Sequence, residues 1–370
     1  LGRIADLLDR NGIDPAEIGT VHRISLYQSL TKNNEGDAEI HDLVGIQLSP
    51  AWAEGPEWPV VQQAAPTKIT PAKLRPLERV EKVTVILPDP QIGFWRLSTG
   101  EMVPIHDEAA MAAAMQVLVA ARPDVIVNLG DLVDFPEWSS KFLVKPEFVL
   151  TTQPTLDRAH QFLAEQRAVA PQANMLLLAG NHDVRLGHAI TRNAMAALRL
   201  RRANVPDEWP VMSLPFLLRL DELGVKYIGG YPAGRVQLTE GGGGMTGLWA
   251  VHGEKLDVAK VAKTERQSFV QGHIHRAAMH QETYEIGGRA ETVMAFSPGC
   301  LCRVDGAVPS SRGGEDEHGR PMVRWENWQQ GVAVVTEFPD GSWDAEIVPI
   351  RDGVASWRGS RYGSPEVIAD

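Results

Sequence analysis

The sequence predicts a layered α/β domain over the larger, C-terminal part of the chain. From residue 81, apolar strand-like runs alternate with helical ones: VTVILPD, DEAAMAAAMQVLVAA, DVIVNLGD, LDRAHQFLAEQRAV and NMLLLAGNHD. A β-α-β-α-β order of this kind packs helices against a sheet. Later segments, LWAVHG, FVQGHIH, ETVMAFSPG and GVAVVTEFPDGSWDAEIVPI, read as further strands, the last a hairpin about PDG. Polar residues gather at the ends of these apolar runs, one cluster per strand.

The elements follow in order. Residues 1–50 read as a small α+β extension. RIADLLDRNG has apolar residues at helical spacing and stops at Asn-Gly; VHRISLYQSL, NNEGD and IHDLVGIQLS then read as strand, turn and strand. Residues 51–80 carry five prolines and few periodic apolar positions, as an extended linker does. Residues 81–350 hold the main domain, and 351–370 read as a C-terminal tail. EGGGGMTG (240–247) is a turn between strands, because a phosphate-cradling loop needs a following helix and none is seen. DGAVPSSRGGEDEHGRP (305–321) reads as a long loop.

Composition narrows the function classes. The chain has 370 residues, 44% of them hydrophobic and 22% charged, as in ordinary globular proteins. No apolar run approaches the ~20 residues that span a bilayer, so no membrane partner is expected. The opening LGRIADLLDRNG lacks the pattern of a secretory signal. Only two cysteines occur, Cys300 and Cys302 in GCLCR, which favours a reducing, cytoplasmic setting. A Cys-x-Cys pair is half of a zinc site, but no second half is visible, and the pair reads as buried small residues at a strand end. A net charge of −11 excludes a surface that is wholly a glove for nucleic acid, though not a local basic groove.

The clusters at the strand ends carry the chemistry. They are Asp89 and Gln91 in DPQ; Gly130, Asp131 and Asp134 in GDLVD; and Asn181, His182 and Asp183 in GNHD. His252 in VHG, then His273 and His275 in GHIH, complete the set. Strands ending in Asp, Asn or His point their polar tips at one sheet edge, where α/β folds hold ligands. Asp, Asn, Gln and His together are donors for divalent metals of middle hardness.

This order closely resembles the calcineurin-like metallophosphoesterase family, whose pattern runs D-x-H, G-D-x-x-D, G-N-H-D/E, H, G-H-x-H. The resemblance covers roughly residues 81–300, and the layout is similar to phage-encoded members. It implies a four-layer αββα sandwich and phosphoester hydrolysis at a dimetal centre. Carried onto this sequence, it implies one ion on Asp89, Gln91, His275 and a shared Asp131, and another on Asp131, Asn181, His252 and His273. It further implies in-line attack by a hydroxide bridging the two ions, with His182 as general acid, oriented by Asp183 and supported by Asp134. The departure is Gln91, which stands where the family usually has histidine. An amide oxygen is harder than an imidazole nitrogen, so manganese is expected first, with magnesium favoured over zinc at that position and iron or nickel as further candidates. The manganese-dependent ADP-ribose/CDP-alcohol diphosphatases of this superfamily are similar in carrying Gln there.

Rim residues bear on the substrate. Arg185, Arg192 and Arg199, seven apart, are expected to share one face of a helix leaving the site and to follow a phosphate backbone. Trp95 is expected to stack on a base and His188 to line the rim, while His106 and His280 read as ordinary packed or surface side chains. The expected partner is a phosphodiester, nucleic acid included. The leading reading is a phosphodiesterase or nuclease. A nucleotide pyrophosphatase of the ADP-ribose/CDP-alcohol type, or a nucleic-acid or partner-binding module with secondary hydrolysis, are the alternatives.

Overall fold

The computed structural model describes residues 8–10, 12, 14, 18–32, 38–50, 69–72, 80–141, 145–203, 210–309 and 326–363. The chain divides into two compact units, residues 1–66 and 67–370. In the first, residues 8–10 are helical, within the expected N-terminal helix. Ile18–Lys32 (β1) and Ala38–Pro50 (β2) pair antiparallel, with Lys32 opposite Ala38. The expected turn at 33–37 and most of the expected linker at 51–80 lie outside the described residues.

In the second unit, Lys82–Leu87 (β3), Val125–Asn128 (β6), Asn174–Leu178 (β7) and Val225–Ile228 (β8) run parallel and adjacent. A two-stranded ribbon, Phe94–Arg96 (β4) with Met102–Pro104 (β5), branches off after β3. Glu108–Ala121 (α1) connects β3 to β6 and Thr152–Val169 (α2) connects β6 to β7, while the chain from β7 to β8 carries the shorter helices Arg185–Asn193 and Leu214–Leu217. Helix α1 starts where Asp107 accepts a hydrogen bond from Ala110 N–H at 3.0 Å and ends on Arg122 in the left-handed region. Its alanine-rich face (Ala110, Ala113, Ala114) with Val117 and Leu118 allows close approach to the sheet. Gln330–Glu337 (β16), Trp343–Arg351 (β17), Val354–Trp357 (β18) and Ser360–Gly363 (β19) add antiparallel strands to the other edge of β3. The expected tail is therefore partly sheet: Ala355 and Trp357 are buried against the helix-side core, and residues 364–370 lie outside the described residues.

A second sheet has seven strands, with Met245–Thr246, Arg289–Pro298, Ser268–Gln271 and Leu248–Val251 at its centre, Gly241–Gly242 and Arg235–Gln237 at the ends of that run, and Ala277–Ile286 pairing with Arg289–Pro298. Its strands are Arg235–Gln237 (β9), Gly241–Gly242 (β10), Met245–Thr246 (β11), Leu248–Val251 (β12), Ser268–Gln271 (β13), Ala277–Ile286 (β14) and Arg289–Pro298 (β15). Strand alternation sorts the core into layers. Val83, Val85 and Leu87 of β3 pack with α1 and α2, whereas Ile86 faces the second sheet beside Leu248, Ala250, Val270 and Phe296. On the far side, Phe269 and Ala295 meet Val258, Val261 and Ala262 of a helix at Val258–Glu265. Helix, sheet, sheet, helix is the four-layer αββα sandwich that the resemblance implies.

The two long helices are tied by a bidentate pair, with Arg158 Nε and Nη2 each 2.7 Å from a carboxylate oxygen of Glu108. Arg158, aided by His106, holds the Glu108 carboxyl well below its ordinary value near 4.5, although burial pushes the other way. A depressed folded-state pKa contributes stability that is complete above the unfolded value and lost as pH falls below it. Because Glu108 is half-exposed, Glu108→Gln is expected to cost no more than about 1 kcal/mol at pH 7. The difference from the native chain should begin to shrink as pH falls below about 4.5 and vanish only as pH passes through the far lower folded-state value, as read by chemical denaturation across pH.

Candidate metal centre

Parallel strands deliver their carboxyl ends to one edge of each sheet, and every candidate ligand follows such an end. Asp89 and Gln91 follow β3, Asp131 follows β6, Asn181 follows β7, His252 follows β12, and His273 and His275 follow β13. The loops are sharply bent. Asp89, Gln91, Asp131, His273 and His275 all have φ between 42° and 67°, a region that non-glycine residues seldom occupy and that clusters at functional sites. Hydrogen bonds between the loops hold this geometry. Gln91 N–H donates to Asp131 O (2.9 Å), His182 N–H to Asp131 Oδ1 (2.8 Å) and His273 N–H to Asp89 Oδ1 (2.9 Å). At Gly180 a Cβ would collide with the Asp131 carboxylate and backbone, so only glycine lets these two loops meet.

All seven candidate ligands converge. The donor atoms of Asp131, His252 and His273 lie within 4.8 Å of one another, as do those of Asp89, Asp131 and His275, so Asp131 belongs to both groups. Asn181 Oδ1 lies 2.8 Å from His273 Nδ1 and 3.1 Å from His252 Nε2, and the Gln91 amide lies 3.4 Å from His275 Nε2. His252 Nδ1 donates to Leu129 O at 2.9 Å, which turns Nε2 toward the cluster, the usual way a ligand imidazole is oriented. Two buried oxygens, Asp89 Oδ2 and Gln91 Oε1, have no hydrogen-bond partner. Orphaned acceptors are costly in a protein interior. With shared oxygen and nitrogen donors around them, they fit a pair of divalent cations.

The electrostatics show the same demand for positive charge. Burial opposes ionisation of Asp131, yet His182 and His252 hold its carboxyl well below the usual range. Burial also opposes a charge on His252, but the adjoining Asp131 carboxylate raises its pKa to about 10. Burial and the His252 charge together push His273 down to about 4.

The structure reassigns the groups around His182. Its Nδ1 lies 2.6 Å from Asp134 Oδ1, so Asp134, not Asp183, orients the ring. Asp183 instead accepts from Gly180 N–H (2.8 Å) and Val133 N–H (3.3 Å), pinning two ligand loops together. Spacing explains the error. Adjacent residues in a tight turn point apart, whereas Asp134 returns from a different strand end. Arg185 is buried, with Nη2 3.0 Å from His182 Nε2 and Nη1 donating to Asp134 O at 2.6 Å.

A cavity of about 410 Å³ opens over the cluster, lined by Gln91, Asp131, Asn181, His182, His273 and His275 together with Arg185, Lys141, Arg276 and Trp328. Three rim expectations fail. The helix after GNHD covers only Arg185–Asn193, so Arg199 is not on it; a left-handed φ of 58° at Arg199 belongs to the irregular chain beyond. His188 is exposed and lines a different cavity, with Leu198, Met212 and Tyr227. Trp95 packs on Phe148 with ring centroids 4.6 Å apart and donates to Ala307 O, away from the cluster. The aromatic at the site is Trp328, whose ring meets His275 edge-on at 4.3 Å. Arg276, next after the GHIH motif, was within reach of sequence reasoning. Trp328 carried no signal in the sequence.

The calcineurin-like phosphoesterase family model matches residues 105–331, and the chain belongs to that family. Its chemistry is metal-dependent phosphoester hydrolysis, and two divalent metals are typical of it. The match begins after Asp89 and Gln91, which the fold nevertheless brings into the cluster. No curated protein sequence matches the chain. No helix among the described residues is long and apolar enough to cross a membrane.

A ligand that binds only the folded state stabilises it by about 2.7 kcal/mol at a hundredfold excess over its Kd. Adding manganese to chelator-treated protein is therefore expected to raise the melting temperature in scanning fluorimetry. Asp131→Asn, which alters a donor common to both groups, should remove most of that rise.

Proposed function

We propose that the chain is a dimetal-dependent phosphodiesterase, with nucleic acid or a nucleotide-bearing diester as substrate. Asp89, Gln91, Asp131 and His275 would hold one ion; Asp131, Asn181, His252 and His273 would hold the other. Manganese is the preferred metal because Gln91 offers a hard amide oxygen where an imidazole would favour zinc. Bound there, a metal pair supplies Lewis acidity toward the phosphoryl oxygens and makes water a nucleophile at neutral pH. The residues do the rest. Asp134 holds His182 through Nδ1, and Nε2, which lies at the cavity and accepts from Arg185 Nη2, would give a proton to the leaving oxygen once the ring is protonated and Arg185 turns to the substrate. Arg185, beside the same nitrogen, would offer its N–H groups to a phosphoryl oxygen.

The observation that favours a diester in a charged chain over a small monoester is the lining of the cavity. Lys141, Arg185 and Arg276 converge there, and among the described residues Glu326 is the one acid in the lining besides Asp131, although the chain carries a net charge of −11. Such local concentration of cations suits a polyanion held by its backbone. Trp328 offers a face for a base.

With manganese, hydrolysis of bis-p-nitrophenyl phosphate should exceed that of p-nitrophenyl phosphate; the reverse ratio would make the chain a phosphomonoesterase. Preferred hydrolysis of ADP-ribose would instead support the pyrophosphatase reading. His182→Ala is expected to keep the manganese-induced rise in melting temperature while losing roughly 10²–10⁴ in kcat. Asp134→Asn should fall between native and His182→Ala, because it removes the orienting charge and leaves the ring in place.

A further inference from the structure

We propose that Cys300, Cys302 and the Nδ1 face of His275 form an additional cation site, taking one soft, thiophilic ion of the zinc or cadmium type. The chain has only two cysteines, and both are free, fully buried and at this one place. Cys302 Sγ lies 3.9 Å from His275 Nδ1, and the two sulfurs and the imidazole offer ligand atoms within 4.8 Å of one another. A tetrahedral zinc with Zn–S of about 2.3 Å and Zn–N of about 2.0 Å spaces sulfur and nitrogen by roughly 3.5 Å, so a shift of a few tenths of an ångström closes the Cys302–His275 pair. The sulfurs have only long contacts otherwise: Cys300 Sγ to Cys302 O at 3.9 Å and to Gln329 O at 3.7 Å. The surrounding backbone is fixed, with Cys300 N–H donating to Gln329 O (3.0 Å) and Gln330 Nε2 donating to Cys302 O (2.9 Å). Trp328 packs on the cysteines and against His275, closing the place off. A ligand imidazole ordinarily sets its second nitrogen against a carboxylate or carbonyl; here it faces a thiol.

The site's effect on catalysis rests on the functional reading above. His275 turns Nε2 toward Asp89, 3.3 Å away, and Nδ1 toward the sulfurs. As a neutral ring it has one lone pair to give. When a soft ion takes Nδ1, the ring proton moves to Nε2 and the two thiol protons leave to solvent. His275 is then withdrawn from the Gln91 side of the cluster, and the ion acts as an inhibitor.

The test is a cadmium titration of the full chain with manganese in excess, followed by the ultraviolet cadmium–thiolate charge-transfer band. Cadmium at the oxygen- and nitrogen-lined cluster gives no such band. The band is expected to saturate at about one ion per chain, and Cys300→Ser or Cys302→Ser should each weaken binding at least tenfold, with near-ultraviolet circular dichroism reporting their fold. X-ray absorption of the zinc-loaded native chain, expected to show sulfur neighbours at about 2.3 Å, decides the matter if the serine variants do not fold. No band in the native chain, a band that survives either substitution, or a zinc edge with only oxygen and nitrogen neighbours would overturn the site. A band without loss of one bound manganese would overturn the inhibitory coupling. Failure of diester hydrolysis alongside a cadmium band would refute the proposed function and leave this site standing.

Discussion

Asp89 and Asp131 lie almost wholly out of solvent, and their oxygens approach within 4.8 Å of each other. Two like charges at that separation repel by about 3 kcal/mol or more even at an effective dielectric near 20. Among the described residues, no lysine or arginine is hydrogen-bonded or ion-paired to either carboxylate. The neighbours facing both carboxylates are imidazoles and amides, whose free atoms are acceptors once the rings are neutral. A protein interior tolerates such a cluster only with positive charge at its centre. In the bare chain His252 takes up a proton to meet that need, as its elevated pKa reflects. Divalent cations meet it more fully, and they bring the chemistry that defines the family.

The rest of the domain serves to hold five separate loops in that unfavourable arrangement. Left-handed backbone at Asp89, Gln91, Asp131, His273 and His275 costs of order 1–3 kcal/mol each when not locally relieved. Part of the relief is local, through main-chain hydrogen bonds from one ligand loop to the carboxylate of another. The remainder comes from depth: both sheets are covered on both faces, so the strand ends emerge from a packed core and cannot drift. Side chains placed in this way are pre-organised, which a metal site of defined spacing requires. Asp183 illustrates the division of labour. It touches no reacting group in this arrangement, yet by accepting from Gly180 and Val133 it fixes the distance between the loops that carry Asp131 and Asn181.

The sequence was legible where one strong signal dominated. Apolar runs of β3, β6 and β7 have no solvent face, so they read as buried strands, and the polar tips after them read as a common edge. What stayed hidden depends on partners far apart in the chain. Asp134 and Asp183 are both plausible props for His182, and only the path of the backbone decides between them. The seven-residue spacing of the arginines requires a continuing helix, but Arg185–Asn193 stops after two and a half turns, and the residues from 191 to 200 are almost all exposed, with no buried face to carry the helix on. Trp95 and Trp328 are equally aromatic, and it is Trp328 that reaches the cluster because β4 carries Trp95 onto Phe148 instead. Ala277–Ile286 alternates exposed and half-buried residues against β15, a two-residue period that the sequence does not announce because its alternating side chains contrast weakly.

Gln91 and the two cysteines bear on the same imidazole from opposite sides. On one nitrogen of His275 stand an amide and a carboxylate, hard donors that suit manganese or magnesium; on the other stand thiols, soft donors that suit zinc or cadmium. A histidine at position 91 would narrow that contrast, since imidazole serves zinc well and the cluster would then compete with the sulfurs for the same ions. On the two proposed readings, glutamine at position 91 would make the ion favoured at the cluster differ in kind from the ion favoured at the thiols, so that ligand hardness would decide which of the two His275 serves.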